Sequence, residues 1–157
     1  MIERFEARIL RINPEQQDIP IPTYATAGSA GMDICAAVEK DMEISPGDTV
    51  LIPTGFIIEL SQGYEAQVRP RSGLAIKHNI GILNSPGTID SDYRGEVKII
   101  LTNFGKKPYI IHRGDRIAQM IVSKYERVHW KEVSSLAESV RGEGGFGHTG
   151  ITSKGNE

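Results

Sequence analysis

The sequence predicts an all-β domain, either a sandwich or a jelly-roll barrel, and three observations carry that reading. Apolar residues recur with period 2 over most of the chain, which sends successive side chains to opposite faces of a strand. Glycine and proline turn signals cut these alternating stretches into short pieces at regular spacing. Only two short segments, 73–78 and 134–140, have the pattern of a helix. Many short strands with tight turns between them belong to layered or closed antiparallel sheets.

Each element follows from its local pattern. The stretch 4–12 alternates imperfectly and opens the series. Strands are expected at 50–52, 56–60 and 64–68, separated by the turn signals Ser45-Pro-Gly-Asp48, Pro53-Thr-Gly55 and Ser61-Gln-Gly63. Further strands are expected at 96–102, 109–112, 116–122 and 125–130. The helical pattern at 134–140 has Ser134 as an N-cap but spans barely two turns. There is no repeat at solenoid spacing and no linker long enough to divide the chain. Residues 1–136 are read as one domain and residues 137–157 as a flexible, glycine-rich C-terminal arm leaving it.

Composition narrows the function classes. At 157 residues the chain is long enough for one domain with a real core. The net charge is -2, so bulk electrostatics does not favour nucleic acid or membrane, and any anion site must be local. The single cysteine, Cys35, excludes an intrachain disulfide. The first residues carry no basic region followed by an apolar run, and no apolar stretch approaches the roughly 20 residues that span a bilayer. A cytoplasmic location is the expectation from the absence of a signal.

Five segments place polar residues where folding does not require them. Ala30-Gly-Met-Asp-Ile34 sets a carboxylate after a glycine turn, beside an apolar strand. Pro70-Arg-Ser-Gly-Leu-Ala75 sets Arg71 and Ser72 at the start of a helix, where free N–H groups make an anion site; Ser72 as a simple cap is the competing reading. In 84–95 the pairs Pro86-Gly87 and Arg94-Gly95 flank Thr88–Tyr93, which reads as a hairpin whose backbone can pair with a planar base edge. Asp90 and Tyr93 are three apart, so a turn or bulge must bring them together if they share a site. In 114–121, Ile117, Gln119 and Ile121 share one face and Arg116, Ala118 and Met120 the other, so Gln119 is either a satisfied buried amide or a ligand to something polar. Arg141-Gly-Glu-Gly-Gly-Phe-Gly-His-Thr-Gly150 cannot pack a core, yet it carries a cation, a ring and bare amides, the parts of a flap that closes over a polyphosphate. His78, His112 and His129 are scattered and read as packed or surface histidines.

Taken in order, these segments resemble the homotrimeric deoxyuridine triphosphatase (dUTPase, dUTP pyrophosphatase) family. The matching stretches are 30–33, 70–75, 87–95, 116–119 and the arm from Arg141, and they run in the family's order over most of the chain. The resemblance implies a jelly-roll β-barrel subunit and a homotrimer with active sites at subunit interfaces, closed by arms. It also implies hydrolysis of dUTP to dUMP and pyrophosphate with Mg²⁺, which keeps dUTP low and supplies dUMP for thymidylate synthesis. Asp90 would hold and deprotonate the water that attacks the α-phosphorus. Asp33 would reach Mg²⁺ through water. Arg71, Ser72 and Gln119 would hold phosphates, with a backbone N–H from Gly73. Asn84 and the backbone of Gly87, Thr88 and Ile89 would pair with uracil, and Tyr93 would lie under the deoxyribose, refusing a 2′-OH. Arg141, Phe146, Gly147, His148 and Thr149 would complete the site from the arm, Phe146 by stacking on the base. His148 stands where many relatives have a serine or threonine; Thr149 keeps a hydroxyl beside it.

Two other classes fit parts of the pattern. A dCTP deaminase would share the jelly roll and the phosphate grip, but not the hairpin with its Asp-x-x-Tyr and the Arg/Phe/Gly arm. A non-catalytic nucleotide-binding regulatory module would bind without turnover and would leave Asp90 unexplained.

Overall fold

The computed structural model describes residues 5–145, which hold twelve strands and one short helix. The all-β reading is correct. In chain order the strands are β1 (Arg8–Arg11), β2 (Thr23–Tyr24), β3 (Met32–Cys35), β4 (Met42–Ile44), β5 (Thr49–Pro53), β6 (Phe56–Glu59) and β7 (Tyr64–Arg69). The helix α1 (Ser72–His78) follows, then β8 (Ile80–Ile82), β9 (Gly87–Ile89), β10 (Lys98–Asn103), β11 (Tyr109–Ile111) and β12 (Arg116–Lys124). The chain divides into two compact units after Glu126, and every strand and α1 lie in the first.

All strand pairs are antiparallel. The largest sheet has the order β2-β3-β12-β7-β9; β5-β10-β8 forms a second, and β1-β6 and β11-β4 pair separately. Many crossovers between short antiparallel strands are what a jelly roll consists of. The core between the layers is rich in isoleucine: Ile34, Ile44, Ile52, Ile99, Ile111 and Ile117 are all fully buried. β-branched side chains of this kind pack well on pleated surfaces. Alternation is clear in β6, where Phe56 and Ile58 are buried and their neighbours half-buried, and in β7, where Ala66 and Val68 are buried.

The fully buried Asn103 pins two parts of the domain together. Its amide nitrogen donates to the carbonyls of Ile44 and Lys107, both at 2.8 Å, and its oxygen accepts from the Gly105 amide at 2.8 Å. A buried amide so satisfied stabilises the arrangement rather than penalising it.

Several expected elements differ. No strand occupies 125–130: past Lys124 the Tyr125 amide still donates to the Gly63 carbonyl, but Val128 and Trp130 are exposed. A strand needs an edge to pair with, and the pattern Tyr-Glu-Arg-Val-His-Trp is not strictly alternating. No helix occupies 134–140, where Leu136 and Val140 are exposed. Two turns without a packed face do not recover the cost of helix nucleation. The stretch 88–93 is not a hairpin of its own. β9 pairs with β7 and β8 with β10, so the intervening turn carries the chain from one sheet to the other.

Candidate active site

The connections on either side of β9, which carry the chain from one sheet to the other and back, build a cavity. Asn84, Gly87, Thr88, Ile89, Asp90 and Tyr93 line it, together with apolar side chains such as Val68, Ile82 and Val97, and its volume is about 310 Å³. That is the lower end of the range for small-molecule sites, about 300–1,000 Å³. The Tyr93 amide donates to the Asp90 carbonyl at 3.1 Å, closing the turn that the three-residue spacing required. Asp90 and Tyr93 therefore line one cavity although a plain strand would separate them. The carboxylate of Asp90 is exposed at the cavity, and among the described residues no cation pairs with it. A Cβ on Gly87 would come within 3.1 Å of the Asn84 amide nitrogen and 3.5 Å of Val68, so glycine leaves Asn84 its place.

A second polar group forms where β3, β12 and the start of α1 meet. Arg71 donates from Nε to one Asp33 oxygen at 3.0 Å, and Arg116 from Nη1 to the other at 3.1 Å. Arg71 also donates to the Arg116 carbonyl at 3.0 Å. Gln119 is half-buried, and its nitrogen donates to the Pro70 carbonyl at 3.0 Å. A register shift between Arg116 and Ala118 explains its position. The bulge buries Ile117 and Ala118 in succession, after which Met120 faces the core and Gln119 does not. The two faces expected from strict alternation are thus reset by one residue. Gly31 leaves room for Gln119, since a Cβ there would sit 2.6 Å from its Oε1.

Helix α1 begins without a side-chain cap. Its N-cap is Arg71, in extended conformation, and Ser72 is the first helical residue, so Ser72 does not cap it. Ser72 and Gly73 are exposed and no acidic residue stands in the first turn. The first amides of such a helix lack intrahelical partners and favour an anion.

Register measures the gap between the two groups. Asp33 pairs with Gln119, and Gln119 with Arg69. Ile89 pairs with Ala66, which sets Asp90 level with Glu65. Four residues along the strands, roughly 13 Å, and three strand spacings, roughly 14 Å, separate Asp33 from Asp90, a diagonal of about 20 Å.

The donor set also bears on a metal. No three His, Cys, Asp or Glu side chains among the described residues form a metal cage. Mg²⁺ commonly takes one or two carboxylates with waters and substrate phosphates instead. Asp33 fits that role, since each oxygen accepts one guanidinium hydrogen bond and keeps a lone pair for a water.

A family model described as dUTPase matches residues 17–150. The chain belongs to the dUTPase family. The deoxyuridine 5'-triphosphate nucleotidohydrolase of Rickettsia felis is 60% identical over 131 residues, covering 83% of this chain and 88% of that protein. Its counterpart in Rickettsia canadensis is 61% identical over the same coverage. Among solved structures, the Staphylococcus bacteriophage 80alpha dUTPase with dUpNHpp has a TM-score of 0.83 at 23% identity, covering 93% of this chain and 99% of that one. A mutant dUTPase of phage phi11 of S. aureus, described with a structural Mg(II) ion, has a TM-score of 0.75 at 19% identity, covering 85% and 100%. At such identities these two structures establish the shared fold.

Of the residues expected in a dUTPase site, the structure gathers Asn84, Gly87, Thr88, Ile89, Asp90 and Tyr93 at the cavity. It joins Arg71 to Asp33 directly and sets Gln119 beside Pro70, ahead of Ser72 and Gly73. Arg141 belongs to the second unit, where its Nε donates to the Gly144 carbonyl at 2.7 Å. Phe146, Gly147, His148 and Thr149 lie outside the described residues. Sequence reasoning passed over Arg116 as a partner of Asp33 and Glu96 as a cavity residue. Both stand inside or beside the segments singled out, but only cross-strand register shows what they touch.

Proposed function

We propose that this chain hydrolyses dUTP to dUMP and pyrophosphate, thereby limiting dUTP and supplying dUMP. The observation that carries the reading is the cavity with Asn84, Asp90 and Tyr93 on its wall, in a dUTPase-family chain. Its apolar lining suits a base and a sugar, and its exposed carboxylate suits a bound water. Asp90 would orient that water and take its proton as it attacks the α-phosphorus. Asn84 and the backbone of Gly87, Thr88 and Ile89 would offer hydrogen bonds to the uracil edge, and a cytosine would present donors and acceptors in the wrong order. Tyr93 would lie under the sugar.

The phosphates would be held by Arg71, Ser72, Gln119 and the Gly73 amide, all cationic or polar groups near an uncapped helix start. Asp33 would hold Mg²⁺ through water, and the ion would neutralise phosphate charge. Before phosphate arrives, Asp33 balances Arg71 and Arg116; a triphosphate would compete for both guanidiniums and release the carboxylate toward the ion.

A separation of about 20 Å is too great for Asp90 and Asp33 to serve one phosphate within a single chain. The site is therefore assembled from two or more copies in a homotrimer, the cavity from one and the phosphate group from its neighbour. Exposed Leu51, Leu83 and Phe104 offer apolar surface for such an association. The arm, with Arg141, Phe146, Gly147, His148 and Thr149, would close the site and exclude water. We place the protein in the cytoplasm.

The test is pyrophosphate release from equimolar dUTP, dTTP, dCTP and UTP, with Mg²⁺ and with chelator. Release from dUTP alone, abolished by chelator, is the expected result. Release from several nucleotides would refute the base and sugar recognition, and ammonia release from dCTP would replace the reaction altogether.

A further inference from the structure

Tyr93 is held by Glu96 and by the bare backbone at Gly95. Its hydroxyl donates to the Glu96 carbonyl at 3.0 Å. Its ring and hydroxyl also fill the space where a side chain on Gly95 would begin: a Cβ there would overlap the hydroxyl and Cζ, and would lie 2.9 Å from Cε2. Glu96 is in turn tethered to the turn between β5 and β6. Its Oε1 accepts from the Thr54 amide at 3.2 Å and the Gly55 amide at 2.9 Å, and its Oε2 lies 3.5 Å from Lys98 Nζ. The Glu96 side chain is only 18% exposed, so these hydrogen bonds are partly shielded from water. Thr54 adds a buried hydroxyl bond to the Val97 carbonyl, and the Val97 amide donates to the Phe56 carbonyl at 3.0 Å. The anchor for Tyr93 is thus a residue just ahead of β10 that is pinned by hydrogen bonds to the turn between β5 and β6.

We propose that Gly95 and Glu96 are positioning residues that set the preference for deoxyribose, acting through Tyr93. This rests on dUTP hydrolysis with Tyr93 under the sugar. Discrimination against a ribose 2′-OH is steric, so it depends on the ring being unable to retreat. The absent side chain at Gly95 lets the hydroxyl end of the ring lie against the backbone, and the Glu96 carbonyl holds that same end. A methyl group at position 95 would push the ring off this seat, and loss of the Glu96 carboxylate would loosen the seat itself.

The experiment measures kcat/KM for dUTP and UTP in the full-length protein and in Gly95→Ala, Tyr93→Ala and the double variant, with thermal unfolding as a control for folding. The Gly95→Ala ratio of dUTP to UTP should fall about tenfold or more, the scale on which a misplaced group changes selection. In the Tyr93→Ala background the same substitution should change the ratio no further, because its effect runs through the ring. Glu96→Ala, which covers the case of a Gly95→Ala protein that does not fold, should lower the ratio, and Glu96→Gln should largely restore it. An unchanged ratio in a folded Gly95→Ala protein, or an additive loss in the double variant, overturns the inference. Wild-type protein that releases no pyrophosphate from dUTP overturns the activity itself, and that outcome is visible before any variant is compared.

Discussion

At the residue scale the proposed chemistry concentrates on a few side chains. Asp90→Asn keeps the shape and hydrogen-bonding reach of the side chain but removes its basicity. Turnover should fall by about 10²–10⁴, the usual contribution of a positioned base, while calorimetry still detects dUTP binding. Loss of binding along with turnover would contradict that role. Tyr93→Ala should erode the preference for dUTP over UTP, and an unchanged preference would remove Tyr93 from beneath the sugar. Much of this was legible in the sequence, because Arg71, Asp90 and Gln119 are polar in places where strands and turns do not require it. What was not legible depends on contacts between distant strands. The two guanidiniums on Asp33 come from positions 38 and 83 residues away, and the Glu96 carboxylate reaches amides 41 and 42 residues away. No local pattern encodes such pairings.

At the scale of elements, strands of four or more residues with clean alternation were readable, as in β6 and β7. β2, β4 and β8 have two or three residues each and show no period. The β12 bulge could not be read either, since one extra residue moves every later side chain to the other face. The strand β10 lies between β5 and β8, so it joins that sheet together. Ile99→Ala at its fully buried position should cost about 2–5 kcal/mol in denaturant unfolding, and a loss well under that would mean the core there is loosely packed. Near β4 and β11, His112 Nδ1 lies 2.9 Å from an Asp41 oxygen. The hydrogen bond and charge of Asp41, with Asp115 adding to them, hold the His112 pKa above its ordinary 6.5. A raised folded-state pKa gives stability that is full below the unfolded value and is lost as pH rises through the folded one. Both partners are exposed, so the effect is small. His112→Asn should lower the unfolding midpoint slightly at about pH 5.5 and leave it unchanged at about pH 9. A difference that persists at the higher pH would contradict this account of the pair.

At the scale of the whole molecule, the two proposed half-sites of one chain lie about 20 Å apart, and the proposed homotrimer would bring halves of different copies together. Removal of the residues after Val140 takes away Arg141, Phe146 and the other arm residues. The truncated protein should remain a folded trimer by light scattering and lose most of its activity; full activity would refute closure by the arm. The division of the site makes a more direct test possible. Asp90→Asn disables the cavity half and Arg71→Ala the phosphate half, so each variant alone should be inactive. Mixed in equal amounts under conditions that exchange subunits, the two should recover pyrophosphate release from dUTP. Random exchange should restore about a quarter of the sites, those that draw an intact cavity from one chain and an intact phosphate group from another. That recovery is what a shared site predicts. A mixture as inactive as its parents after proven exchange would place the whole reaction within one chain and contradict the account.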